Sequence, residues 1–159
     1  MRPVLATLGL ICVAAACGDG STASTADARP ASFSVTVMPN PIHEEPCGGC
    51  GPVTGQLWAV GTVMVAESAG TGGTVESIGV RLVGGASQVI AEGGFDAAAI
   101  RSLAGSNRVP GGGMLVVPEV GPHYDQAAGG SPSTLTFTVD LRDDGGRTDR
   151  KTVAVPVMP

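Results

Sequence analysis

Hydrophobic and polar residues alternate over several stretches of the chain between Ser32 and its end. The alternation is clearest over residues 135–141, where every second position is hydrophobic. This period-two pattern is typical of a β-strand with one buried face. A second alternating run, residues 153–157, follows Asp143-Asp144-Gly145-Gly146. An Asp-Gly turn between two such runs predicts a terminal β-hairpin.

Further strands are predicted from hydrophobic runs bounded by glycine or proline, over residues 32–38, 54–67, 75–83, 88–91 and 114–117. Pro118 is expected to end the last of these. Residues 95–103 fit either an edge strand or a short helix capped by Asp96, and the helix is favoured. About seven short strands with glycine-rich turns predict an all-β fold, a single antiparallel β-sandwich.

The first 16 residues have the pattern of a signal peptide. Arg2 gives a positive start, and residues 4–16 form an apolar run. A run of about 13 residues is too short to cross a bilayer, which takes roughly 20. We therefore expect cleavage rather than a transmembrane helix.

The run ends in Ala14-Ala15-Ala16-Cys17-Gly18, which resembles the lipobox of bacterial lipoproteins. The resemblance implies that Cys17 receives a diacylglyceryl group and becomes the first residue after cleavage. Ala14 stands where lipoboxes more often carry Leu, and Ala14 and Ala16 also fit ordinary secretory cleavage. Secretion without a lipid therefore stays open as the alternative.

These features predict three segments: a signal peptide over residues 1–16, a flexible tether over residues 17–31, and one domain over residues 32–159. The tether is expected because residues 18–31 are mostly Ser, Thr, Ala, Gly and Asp without periodicity. The prediction places the protein in a cell envelope, anchored to its membrane by the lipid on Cys17 and facing the periplasm or the exterior.

Charge and composition narrow the classes of partner. The formal net charge is −5, and the chain has a single lysine, Lys151. Nucleic acids need clustered positive charge, so no nucleic-acid partner is expected. A hydrophobic content of 43% gives the chain apolar surface to bury, which argues against disorder.

From Ser32 onward the layout resembles the immunoglobulin-like or fibronectin type III-like modules of bacterial envelope proteins. The features that carry the resemblance are Trp58 on the second strand, the turn over residues 107–113 and the threonine-rich hairpin. The chain departs from antibody-type domains because it has no cysteine pair placed between the sheets. Function in such folds lies in the loops, so the candidate binding loops are the Cys47-Cys50 loop and residues 104–113 and 118–132.

Cys47-Gly48-Gly49-Cys50 is the most specific chemical motif of the predicted domain. In an exported protein it predicts a local disulfide between Cys47 and Cys50. A metal site is an alternative, because two thiolates form half of a zinc site and His43 and His123 are the available histidines. A thiol-redox pair is the other alternative, although such pairs usually stand at a helix N-terminus.

Other candidate chemistry is weaker. The terminal hairpin carries Asp140, Asp143, Asp144 and Asp149 interleaved with arginines, which favours a charged, solvated hairpin over a calcium site. The five methionines are far apart in sequence and are interpreted as core or terminal residues. No serine has the Gly-x-Ser-x-Gly context of a hydrolase nucleophile.

These observations lead to one functional expectation and one alternative. The expectation is a non-enzymatic, lipid-anchored envelope protein without a cofactor, whose β-sandwich binds an envelope protein or glycan or acts structurally. The alternative is a small metal-binding or thiol-redox envelope protein that uses Cys47 and Cys50 with a histidine.

Overall fold

The chain folds mainly into β-strands in a computed structural model, which describes residues 29–48, 56–85 and 87–159. Seven strands in this part of the chain have six or more residues, and five have two or three. In chain order the elements are β1 Phe33–Met38, β2 Ile42–His43, β3 Glu45–Pro46, β4 Gln56–Trp58, β5 Gly61–Glu67, β6 Gly73–Gly84, β7 Val89–Asp96, α1 Ala97–Ala104, β8 Arg108–Val109, β9 Met114–Val120, β10 His123–Asp125, β11 Ser133–Asp143 and β12 Thr148–Met158. The predicted all-β class is confirmed.

The strands form three sheets. The largest has the order β2-β12-β11-β6-β7, with β8 paired to the start of β6. Its strands are antiparallel except for the parallel pair β2 and β12. A second sheet has the order β1-β5-β9, and a third, of shorter strands, has the order β3-β4-β10.

The inward faces of the sheets contribute to one hydrophobic core. On β11, Leu135, Phe137 and Val139 are fully buried, and Val63 and Val65 of β5 are also fully buried. The buried residues are at every second position of their strands, because successive side chains of a strand point to opposite faces. The alternation predicted for β11 is confirmed.

Helix α1 matches the favoured prediction for residues 95–103. Its N-cap is Asp96, whose carboxylate accepts a hydrogen bond from the backbone N–H of Ala99 at 2.8 Å. A side chain at this position satisfies one of the donors that a helix start leaves free. Gly105 ends the helix with a φ of 74°, a conformation that glycine adopts without steric cost.

Three details of the strand prediction are wrong. The predicted strand 54–67 is two strands, because β4 pairs with β3 and β10 whereas β5 pairs with β1 and β9. Strand β9 continues through Pro118 to Val120. Only β5 pairs with β9 in the described chain, and proline is tolerated on an edge strand. The predicted count of about seven merges β4 with β5 and omits the short strands β2, β3, β8 and β10.

The predicted signal peptide, Cys17 and the tether up to residue 28 lie outside the described residues, so cleavage, lipidation and the flexible tether stay predictions. Within the described residues, no helix has both the length and the apolar character needed to cross a membrane.

One buried carboxylate ties together the end of the β1-β5-β9 sheet. Glu67, at the end of β5, is only 3% exposed. Its carboxylate accepts hydrogen bonds from the backbone N–H groups of Ser32 (3.0 Å), Ala69 (2.7 Å), Gly70 (2.8 Å) and Gly112 (2.9 Å). The start of β1, the turn after β5 and the turn before β9 are therefore bound to a single side chain.

These bonds favour the ionised form of Glu67. They lower its pKa from 4.5 to about 2, the bond from Gly112 being the largest cause and that from Ser32 the next. A group with a lowered pKa in the folded state contributes stability at a pH above its ordinary pKa. The contribution of Glu67 is therefore complete above about pH 4.5 and is lost as the pH falls towards 2.

We predict that Glu67→Gln lowers the melting temperature at neutral pH by several degrees. The amide replaces one acceptor oxygen by an NH₂ group, which then faces backbone donors, and an unmade buried hydrogen bond is costly. The variant should also lose the part of the acid dependence that falls between pH 4.5 and 2. Thermal denaturation over this pH range checks both effects.

Glu92→Gln is the matched control, because Glu92 is an exposed glutamate of β7. Its melting temperature and acid dependence should follow those of the unmodified protein. Equal behaviour of the two variants would contradict the role given to Glu67.

Candidate functional site

The small β3-β4-β10 sheet brings together side chains that are distant in sequence. Trp58 on the central strand β4 is opposite Glu45 of β3 on one side and His123 of β10 on the other. The backbone N–H of Cys47 donates to the carbonyl of Gln56 at 3.0 Å, which holds Cys47 beside this sheet. We call the group of Cys47, Trp58 and His123 the ring-sulfur site.

The rings of Trp58 and His123 stack, with centroids 5.0 Å apart and planes 19° from parallel. The Nδ1 atom of His123 lies 3.6 Å from the Sγ atom of Cys47. Stacking restricts the orientation of the imidazole, because aromatic pairs favour particular geometries. The structure thus directs one nitrogen of His123 towards sulfur.

Cys47 is disulfide-bonded. Cys50 lies outside the described residues, and the pairing of Cys47 with Cys50 therefore stays a prediction. The sequence offers His123 beside Cys47 only within the metal alternative, and nothing in the sequence shows that His123 comes near the cysteine motif. The structure places the two side chains in contact.

The other candidate ligand, His43, lies elsewhere. It is exposed on β2 and is opposite Met158 of β12, in the six-stranded sheet. Across the described residues, no group of three or more His, Cys, Asp or Glu side chains could hold a metal ion. Of the predicted set of Cys47, Cys50, His43 and His123, the described part of the structure brings together Cys47 and His123.

The opposite face of the small sheet is part of the core. Tyr124 and Leu57 are paired across β10 and β4 and are both buried. Burial raises the pKa of the Tyr124 phenol, and the nearby carboxylate of Glu44 raises it further. Glu44 in turn accepts a hydrogen bond from the backbone N–H of Gly130 at 3.0 Å. This carboxylate therefore links the small sheet to the loop before β11.

Two of the three predicted binding loops lie entirely within the described residues, and they differ in what they contribute to the structure. Residues 104–113 include β8 and Gly112, which binds the Glu67 carboxylate. Residues 118–132 include β10 and therefore supply His123 to the ring-sulfur site. The second loop thus contributes to a candidate site, whereas the glycine turn of the first is used for the fold.

Two acidic residues of the terminal hairpin, Asp140 and Asp144, pair with arginine side chains. Asp140 accepts hydrogen bonds from Nε of Arg150 at 2.6 Å and from the hydroxyl of Ser77 at 2.9 Å. The bond from Arg150 is the main cause that lowers the pKa of Asp140. Asp144 binds both terminal nitrogens of Arg108, at 2.8 and 2.6 Å. These pairs agree with the predicted charged hairpin.

Comparison with known proteins gives a likeness of fold. The X-ray structure of a Northeast Structural Genomics Consortium target, SoR45, is similar with a TM-score of 0.58 at 8% identity, over 80% of this chain and 87% of that one. A candidate ApaA protein from Bordetella pertussis aligns over 82% of this chain and 96% of that one, at 16% identity and a TM-score of 0.44, which is too low to infer a shared fold. No protein-family model matches the sequence, and no curated protein matches it. The comparisons therefore support the fold alone.

We predict that Tyr124 does not ionise near pH 10 in the folded protein. The chain has one tyrosine, so the ultraviolet absorbance of phenolate reports on this residue only. Because the pKa is raised in the folded state, stability is complete below the ordinary value of 10.0 and declines as the pH rises above it. Phenolate should thus appear only together with alkaline unfolding.

The protein denatured in guanidinium chloride is the control, and its tyrosine should titrate near pH 10. A folded protein whose tyrosine titrates at the same pH as the denatured chain would show that Tyr124 is not buried against Leu57.

Proposed function

We propose that the protein is a non-enzymatic module of a bacterial cell envelope, anchored by acyl chains on Cys17. The observation that carries this proposal is the apolar run ending in Ala14-Ala15-Ala16-Cys17, followed by a polar tether before the first strand at Phe33. A single acyl chain binds a membrane only reversibly, whereas two or more give a stable anchor. A lipidated Cys17 would carry two or three.

The domain at the end of this tether is proposed to be an immunoglobulin-like sandwich that binds an envelope protein or glycan, or acts structurally. Seven longer strands and a core shared between the β1-β5-β9 sheet and the six-stranded sheet support this assignment. The small β3-β4-β10 sheet and helix α1 are additions to the simple sandwich pattern.

The absence of catalysis is part of the same proposal. A cleft of about 580 Å³ lies along the terminal hairpin, and its charged lining includes Asp140, Asp149 and Arg150. Asp140 is paired with Arg150, and Asp149 with Lys151 at 2.9 Å. The hydrogen bond from Arg150 lowers the pKa of Asp140, and a carboxylate held ionised in this way suits a charged surface better than acid-base chemistry.

We predict that Cys17→Ala abolishes membrane anchoring while Cys12→Ala preserves it. Cys12 lies within the amino-terminal apolar run and Cys17 directly follows it, so the pair separates the loss of the lipobox cysteine from a general change in the signal. Each variant is produced in a bacterium, and its detergent phase partitioning and intact mass are measured. The unmodified chain should carry the mass of acyl chains on a chain that begins at Cys17.

A chain that is cleaved but carries no acyl mass would favour the secreted alternative. Equal partitioning of the Cys17→Ala and Cys12→Ala variants would contradict lipidation at Cys17.

A second candidate function is metal binding at the ring-sulfur site, and one distance favours it. In a tetrahedral zinc site, with Zn–S of about 2.3 Å and Zn–N of about 2.0 Å, a sulfur and a nitrogen ligand stand roughly 3.5 Å apart. Sγ of Cys47 and Nδ1 of His123 are 3.6 Å apart. Because Cys47 is disulfide-bonded, metal would bind only after reduction, with Cys50 as the expected second thiolate.

We predict that the reduced protein binds one zinc ion and that His123→Ala lowers the affinity by about tenfold or more, a loss seen even for groups that only support metal ligands. His43→Ala is the matched control and should leave the affinity unchanged. Competition with a chromophoric chelator measures both. Failure of the reduced protein to bind zinc, or equal affinities for the two variants, would overturn this second candidate.

A further inference from the structure

Three methionines share the outward face of the β1-β5-β9 sheet, one on each strand. Met38 ends β1, Met64 lies within β5 and Met114 begins β9. Met38 is 58% exposed and Met114 is 54% exposed. The interpretation of the methionines as core or terminal residues is therefore wrong for Met38 and Met114, because sequence distance does not show that three separate strands meet in one sheet.

The strand register makes Met64 a neighbour of both other methionines. Met38 is opposite Thr62 and Met114 is opposite Ala66, the residues two positions to either side of Met64. Residues that are diagonal in this way are about 7–8 Å apart, within reach of long side chains. By this register the three methionines form a diagonal row across the sheet, with Met64 in the middle.

Around the three methionines the outward positions are uncharged and are occupied by Ser34, Thr36, Thr62, Ala66 and Val116. The exposed Glu119 lies towards the other end of β9 from Met114. The outward face of the six-stranded sheet differs, because Asp140, Arg142 and Arg150 lie on it. The methionine row is therefore uncharged in a protein of net charge −5. Its two outer members are more than half exposed, so burial in the core does not explain them.

We propose that the methionine row binds a soft monovalent cation, Cu(I) or Ag(I). Thioether sulfur is a soft, neutral ligand that selects Cu(I) over hard cations such as Mg²⁺ and Ca²⁺. Methionine is unbranched and flexible, which lets two diagonal side chains turn their sulfur atoms towards one ion. Met64 belongs to both diagonal pairs, with Met38 and with Met114, and is the essential ligand.

The site is independent of the ring-sulfur site and of the lipid anchor. Its ligands come from β1, β5 and β9, whereas Cys47 and His123 belong to the small sheet. An uncharged, methionine-bearing face also suits a protein partner, since methionine is enriched in interfaces. Cation binding is favoured here because the three thioethers are diagonal neighbours rather than scattered over the face.

The test uses the full chain, with ¹³C-labelled methionine methyl groups, free thiols alkylated and the buffer free of chloride. Silver nitrate is the probe, because Ag(I) does not change its oxidation state in air. We expect the methyl resonances of Met38, Met64 and Met114 to shift on titration while that of Met158 does not. Met158 lies on β12, in the six-stranded sheet.

Met64→Leu should lower the Ag(I) affinity by about tenfold or more. Removing a group that only supports a metal ligand already lowers metal affinity by about tenfold, and Met64 is proposed to be a ligand itself. Leucine conserves the side-chain volume, so the fold is retained. Met158→Leu is the control and should bind Ag(I) like the unmodified protein.

Equal affinities of the Met64→Leu and Met158→Leu variants would overturn the proposal, as would equal shifts of all methionine resonances. A third outcome is that the methionine resonances do not shift with Ag(I) but broaden as the protein concentration rises. That outcome would identify the face as a contact between two copies of the protein and would also overturn cation binding.

Discussion

The carboxylate of Glu67 is the interaction on which the β1-β5-β9 sheet depends. It is an acceptor-only group that satisfies four backbone donors, from Ser32, Ala69, Gly70 and Gly112. Ala66, the residue before it, is opposite Ser34 of β1 and Met114 of β9. Fixing Glu67 therefore fixes the register of three strands at once, and with it the diagonal alignment of the methionine row.

The candidate chemistry of the domain lies on outward faces, and each face has a different character. The six-stranded sheet presents paired charges such as Asp140 and Arg150. The β1-β5-β9 sheet presents uncharged thioethers, and the small sheet presents the stacked rings of Trp58 and His123 beside Cys47. A rigid core carrying sites on its surface agrees with the general rule that function is added to a fold rather than specified by it.

The sequence predicts what local patterns determine. The alternation of β11, the Asp-Gly hairpin and the Asp96 cap depend on residues a few positions apart, and all are present. It does not predict contacts made by strand pairing across long separations. His123 reaches Cys47 only because β10 pairs with β4, and Met38 and Met114 flank Met64 only because β1 and β9 pair with β5. No periodicity within one segment carries that information.

Amide hydrogen exchange of Ser32, Gly70 and Gly112 is the most direct test of the central role of Glu67. Each donates its backbone N–H to the buried carboxylate, although Gly70 and Gly112 are themselves exposed. The structure predicts that these amides exchange as slowly as those within β5, because opening them requires the sheet end to separate. Exchange at the rate of unprotected surface turns would show that the carboxylate does not hold the three segments together.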